Sequence, residues 1–150
     1  MTSATNTSVS YREKVWPPIS WWIVAAALSA MTAGMVYPVW ATGAVIVPIV
    51  IFAAVVLWLR SASPTLLVTD QEFLAGPAHI ERRFITGAEA MDPAESFLAR
   101  GAQLDARAFL VIRPWVKTVV KVTIDDPQDP TPYWLVSSKQ PARLAAALQQ

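Results

Sequence analysis

Hydrophobic and polar residues are segregated along this chain. From Val15 to Leu59 there is no Asp, Glu, Lys, Arg or His, and all 12 basic and 11 acidic residues lie outside that stretch. About 20 apolar residues in a helix cross a bilayer core, so the stretch accommodates two spans. The first is expected at 19–36 and the second at 39–59, with Tyr37-Pro38 as the turn, because Pro cannot continue a helix. Neither run carries the polar stripe of a soluble amphipathic helix. Arg12 and Lys14 precede the first run as they would in a signal peptide. A second apolar run follows at once with no convincing cleavage site between them, so a retained hairpin is expected.

After Arg60 the pattern shortens to the period of strands. Thr65–Thr69 and Phe73–Gly76 are short apolar runs joined at Gln71-Glu72, and Gly76-Pro77 signals a second turn. Ala78–Ile85 alternates, with Ile80, Arg82 and Phe84 on one face and His79, Glu81 and Arg83 on the other. Ala108–Arg113 is continuously apolar, Lys117–Ile124 alternates, and Pro132–Ser138 is aromatic-rich. Two helices are expected. One spans Asp92–Arg100, with Asp92 as N-cap and Pro93 at the first position, and one runs from Pro141 to Leu148.

These elements predict three regions: a disordered tail over 1–14, a transmembrane hairpin over 15–60, and a cytoplasmic β-rich domain over 61–150. The expected fold is a membrane α-helical hairpin plus a small α+β domain. That domain reads as an antiparallel β sandwich or half-barrel closed by a C-terminal helix, an order that resembles pleckstrin-homology-like domains. The likeness is one of architecture and assigns no activity.

Aromatic and charged positions sharpen the hairpin. Trp16, Trp21 and Trp22 mark one end, Tyr37 and Trp40 the turn, and Trp58 the other end, as two interfacial belts require. Arg12, Lys14 and Arg60 flank the hairpin and the turn has no charge, so the positive-inside rule places both termini in the cytoplasm. Pro48 is expected to kink the second helix. Gly34, Gly43 and several alanines permit close helix approach, within one hairpin or between two copies. With no ionisable group inside the spans, a proton relay or charged ion site has no candidate there.

Composition narrows the chemistry. The chain has no Cys, one His and a formal net charge of +1. Disulfides, thiol catalysis and Cys-ligated metals are excluded, and bulk nucleic-acid binding is not indicated. Asp125, Asp126 and Asp129 could together hold a hard cation, although their spacing is not that of an EF-hand. Asp-Pro pairs equally make turns. His79 has no second His beside it, and Ser137 and Ser138 lack the setting of a nucleophile elbow. No cofactor is expected.

Arg82, Arg83, Arg113, Lys117 and Lys121 are candidates for contact with anionic lipid or a partner, with Trp115, Tyr133 and Trp134 as aromatic companions. Glu81 and Glu89 are close enough in sequence to neutralise part of this set.

Three segments carry a resemblance to a known family: Tyr11-Arg12-Glu13-Lys14-Val15-Trp16-Pro17-Pro18, Arg113-Pro114-Trp115-Val116, and Asp125-Asp126-Pro127-Gln128-Asp129-Pro130-Thr131-Pro132-Tyr133-Trp134-Leu135-Val136-Ser137. The chain resembles small two-span membrane proteins of high-GC Gram-positive bacteria that are catalogued as a domain of unknown function. The resemblance runs from about Tyr11 to Leu148. It implies an inner-membrane hairpin with a cytoplasmic domain and implies no activity. The expected function is that of a non-catalytic, membrane-tethered interaction or scaffold module. Its expected partners are the bilayer and a membrane protein, with self-association as a further arrangement. The alternatives are an anionic-lipid headgroup sensor and a metal-dependent enzyme at Asp125, Asp126 and Asp129.

Overall fold

The structure, a computed structural model, describes residues 8–150. It divides into two compact units. One comprises the chain up to Val15 together with Pro64–Gln150, and the other is Trp16–Ser63.

The second unit is a pair of helices, α1 (Ile19–Val36) and α2 (Gly43–Ser61), packed against each other. Both are long and apolar enough to cross a membrane. On α1 the buried and half-buried positions are Trp22, Ala25, Ser29, Thr32, Ala33 and Val36, a spacing of three and four that makes a single seam. The hydroxyls on that seam bond within their own helix, Ser29 Oγ donating to the Ala25 carbonyl at 2.7 Å and Thr32 Oγ1 to the Ser29 carbonyl at 2.6 Å. Away from the seam, large apolar side chains are left open. Met35 is 79% exposed and Leu57 69%.

The turn is longer than a two-residue Tyr37-Pro38 link, and α2 begins at Gly43 rather than at 39. The Val39 and Trp40 amides both bond to the Val36 carbonyl, which carries the turn past Pro38. The Trp40 ring then lies on Gly43, where a Cβ would come within 2.0 Å of it. Gly43 therefore admits Trp40 rather than a neighbouring helix, and Gly34 faces open space. At the other end, the Arg60 guanidinium sits 5.6 Å from the centre of the Trp16 ring, a cation–π contact.

The first unit holds two four-stranded sheets. One has the order β1-β2-β3-β4 and is antiparallel throughout: β1 (Val9–Lys14), β2 (Thr65–Thr69), β3 (Glu72–Ala75) and β4 (Ala78–Glu81). Gly76, with φ of 66°, makes the tight β3–β4 turn. The other sheet has the order β5-β7-β8-β6: β5 (Ile85–Met91), β6 (Phe109–Val111), β7 (Val119–Ile124) and β8 (Tyr133–Ser137). Strand β6 runs parallel to β8, which departs from the all-antiparallel expectation.

The sheets share one core. Val15, Leu66, Val68 and Phe73 from the first meet Val120, Val122, Trp134 and Val136 from the second, and Leu144 and Leu148 of α4 (Pro141–Gln149) close the same cluster. The opposite face of the second sheet packs Val119, Tyr133 and Leu135 against Ala99 of α3 (Pro93–Arg100). Strand β8 is thus covered on both faces and all five of its residues are buried. Helix α3 begins as expected, with Asp92 and Glu95 forming a reciprocal capping box and Pro93 at its start.

Two expectations are corrected. Val9–Lys14 is not a disordered tail but a strand, because Tyr11 and Val15 supply apolar contacts to the core. Residues 1–7 lie outside the described residues. Ala78–Ile85 is not one strand either. A 3-10 turn at Arg82–Phe84 breaks it, and the chain there leaves the first sheet and enters the second as β5. Alternation continues across that corner, so hydrophobic period alone does not reveal it.

Candidate functional site

One buried polar cluster is hidden by the hydropathy pattern. Tyr11, Glu13 and Val15 alternate along β1 and point inward, while Arg12 and Lys14 point out. Glu13, 8% exposed, receives the Tyr11 hydroxyl at 2.7 Å, the Ser138 hydroxyl at 2.6 Å and the Lys139 amide at 2.8 Å. Ser138 in turn accepts the Gln140 amide at 3.1 Å. Burial, then the bond to the Glu13 carboxylate, pushes the Tyr11 hydroxyl well above the usual tyrosine pKa. In sequence Glu13 sits between two cations and reads as part of a basic flank. The signal that could have found it is the period-2 alternation of Tyr11, Glu13 and Val15.

The basic candidates do not converge on one face. Arg82 is committed to the fold. Its guanidinium donates to the carbonyls of Thr69 (3.3 Å), Ala147 (3.1 Å) and Leu148 (3.2 Å), tying the end of β2 to the last turn of α4. Such a fork satisfies carbonyls that a helix C-terminus leaves without partners. Arg83 pairs with Glu81 at 2.8 Å on the surface and lies over the Phe84 ring. Since both arginines belong to the 3-10 turn, they do not occupy opposite faces of a strand. The Arg113 side chain donates to its own neighbour's carbonyl, at Ile112, and its amide donates to Ser137 Oγ. Lys121 Nζ lies 4.6 Å from the centre of the Tyr133 ring, on a strand position opposite Glu89. Lys117 is exposed, and its carbonyl receives Arg100.

Two of the three aromatic candidates are interior residues. Trp134 is 6% exposed and packs between Phe109 (centroids 4.8 Å apart) and Phe73 (6.1 Å). Tyr133 is buried, and its hydroxyl accepts the Asp105 amide at 2.9 Å. Trp115 is half-buried against the core and donates its indole N–H to the Val15 carbonyl at 3.3 Å. Tyr133 and Trp134 thus spend most of their side-chain surface on the core.

The acidic loop is built by its carboxylates. Asp126 accepts the Gln128 amide and Asp129 accepts the Thr131 amide, each at 2.9 Å and two residues on. These are Asx-turn bonds. The Thr131 hydroxyl also bonds Asp129, and these two bonds hold the Asp129 carboxyl below its usual range. The Asp125 amide donates to Phe84. The fold brings His79, Asp126 and Asp129 around one open cleft beside Trp134, while Asp125 lines an adjoining one. Among the described residues, no group of three or more His, Asp or Glu side chains is placed to hold a metal ion. Ser137 Oγ accepts the Arg113 amide and Ser138 Oγ donates to Glu13, and neither serine lines the cleft that contains His79.

No curated protein and no solved structure matches the chain. Residues 10–148 match the model of a family described as protein of unknown function (DUF3093), and the chain belongs to that family.

Proposed function

We propose that this protein is an integral membrane protein of the bacterial inner membrane. In this reading, α1 and α2 cross the bilayer as a hairpin and hold a non-catalytic interaction module at the cytoplasmic face. The observation that carries the reading is the pairing of β1 with β2. These strands are separated in sequence by the whole apolar unit, yet they are antiparallel neighbours in register from Tyr11–Val68 to Lys14–Thr65. The Val15 amide then bonds to the Pro64 carbonyl at 3.0 Å. Both ends of the apolar unit therefore enter one sheet. A unit that leaves a sheet and returns to it crosses a bilayer an even number of times, which matches two spans. The exposed apolar surface of α1 and α2 supports lipid contact, since large apolar area is costly in water. Arg12, Lys14 and Arg60 support the cytoplasmic side.

The α4 helix closing the core between the two sheets supports a pleckstrin-homology-like arrangement, from which the parallel β6–β8 pair departs. The non-catalytic part of the reading rests on how the interior polar groups are used. Glu13, Ser96, Ser137 and Ser138 are all engaged in bonds that hold elements together. The partner would be a membrane protein, with self-association as the second arrangement.

Because the chain has no cysteine, single introduced thiols report topology directly. In intact cells an impermeant maleimide should label the Ala41→Cys variant, between the helices. It should label the Gln128→Cys variant, on the 125–132 loop, only after lysis. The protein should also resist alkaline carbonate extraction. Labelling of Gln128→Cys in intact cells, or release by carbonate, overturns the reading. Reproducible purification of the protein alone from native membranes in mild detergent overturns the partner.

A further inference from the structure

Strand β1 and one side of α4 meet beside the Glu13 cluster. Ser10, Tyr11 and Arg12 from the strand and Gln140 and Arg143 at the start of the helix line an open cleft of about 460 Å³. No Asp or Glu side chain lines it. The nearest carboxylate in sequence, Glu13, takes its hydrogen bonds from Tyr11, Ser138 and the Lys139 amide rather than from either arginine. Arg12 and Arg143 take no part in the surface ion pairs Arg83–Glu81 and Arg107–Asp105. Among the described residues Arg143 donates to a neutral partner, the Gln140 amide oxygen at 2.9 Å. Two arginines from separate elements thus border one cleft, together with Gln140, Ala146, Ala147 and Gln150.

We propose that this cleft binds the phosphate of an anionic lipid headgroup, with Arg12 and Arg143 as its guanidinium contacts and Ser10 and Gln140 available to headgroup hydroxyls. Guanidinium groups match phosphate oxygens in geometry as well as charge. The proposal rests on the membrane reading, because a lipid source is favoured by the position of Arg12, seven residues before α1 in the sequence. It also moves lipid recognition away from Arg82 and Arg83, which the fold uses otherwise.

The test is calorimetric titration of the detergent-solubilised full chain with dihexanoyl phosphatidylglycerol, dihexanoyl phosphatidylcholine and inorganic phosphate. Phosphatidylglycerol should bind more tightly than the other two. Arg12→Gln and Arg143→Gln should each weaken it about five- to tenfold, given roughly 1 kcal/mol per basic residue near an anionic lipid surface. Arg12→Lys and Arg143→Lys should retain part of the affinity, and Arg107→Gln should equal the parent chain. Unchanged phosphatidylglycerol binding in both Gln variants overturns the proposal, as does equal binding of phosphatidylcholine. Inorganic phosphate binding as tightly as phosphatidylglycerol overturns the lipid source. Short-chain lipid in detergent reads the cleft without requiring insertion, so failure here is separate from failure of the carbonate and labelling tests.

Discussion

The Ser138 hydroxyl donates to the Glu13 carboxylate at 2.6 Å across 125 residues of sequence. This bond joins the strand that leads into the apolar unit to the turn that starts α4. It closes the domain around a chain whose middle section has left and returned.

Removing that carboxylate should be costly. Glu13→Ala leaves the Tyr11 hydroxyl, the Ser138 hydroxyl and the Lys139 amide without their acceptor. An unsatisfied buried polar group costs about 1–3 kcal/mol. Chemical unfolding of the full chain should show a loss of at least that order, with Ser138→Ala losing less. The two substitutions should be non-additive, since they break the same bond. Strict additivity would show that the contact carries no coupling.

Tyr11 should give the protein an alkaline limit. Its pKa is raised in the folded state above the ordinary value of 10.0, so the folded chain keeps a proton that the unfolded chain releases. Its contribution to stability is fully present below about pH 10 and is lost progressively as pH rises above it. Unfolding measured from pH 8 upward should show this decline, and Tyr11→Phe should flatten it. An identical decline in both would assign the effect to other groups.

Adjacent arginines should behave differently. Arg82→Ala removes three bonds to backbone carbonyls, two of them at the end of α4, and should destabilise by about 1–3 kcal/mol. Arg82→Lys should recover little, because an ammonium cannot reproduce the fork. Arg83→Ala removes an exposed ion pair with Glu81, whose effect is typically about 0–1 kcal/mol. Denaturation midpoints of the three variants decide the order.

Aromatic residues should divide by burial. Trp134, enclosed by Phe73 and Phe109, should cost about 3–5 kcal/mol when replaced by Ala. Phe97, on α3 and 74% exposed, should change stability by about 0.5 kcal/mol or less when replaced by Ser. A comparable loss at Phe97 would show that its face is covered in the protein as it exists in solution.

Local signals in the sequence were strong where neighbouring residues decide the outcome. The absence of charge from Val15 to Leu59 marks both long apolar helices, and α1 has the expected bounds. Asp92-Pro93 followed by Glu95 specifies the start of α3, and Gly76-Pro77 the β3–β4 turn. The carboxylates of Asp126 and Asp129 bond amides two residues on, which is why their turn role was legible beside a metal role. Family membership was legible as well, through motifs that span almost the whole chain.

What lay beyond the sequence depends on contacts between distant segments. Hydropathy shows Arg12-Glu13-Lys14 as a charged flank, yet β1 becomes a strand only because β2, past the apolar unit, pairs with it. The alternation of Ala78–Ile85 does not mark the corner at Arg82–Phe84, since the turn exists to carry the chain between sheets. Arg82 and Arg83, both contact candidates by sequence, are drawn apart once the end of α4 supplies carbonyls to one and Glu81 pairs with the other. Composition and periodicity thus determine which segments must leave water. Only the tertiary structure decides which buried donors and acceptors find one another, because an isolated strand or helix end cannot satisfy its polar groups from its own residues.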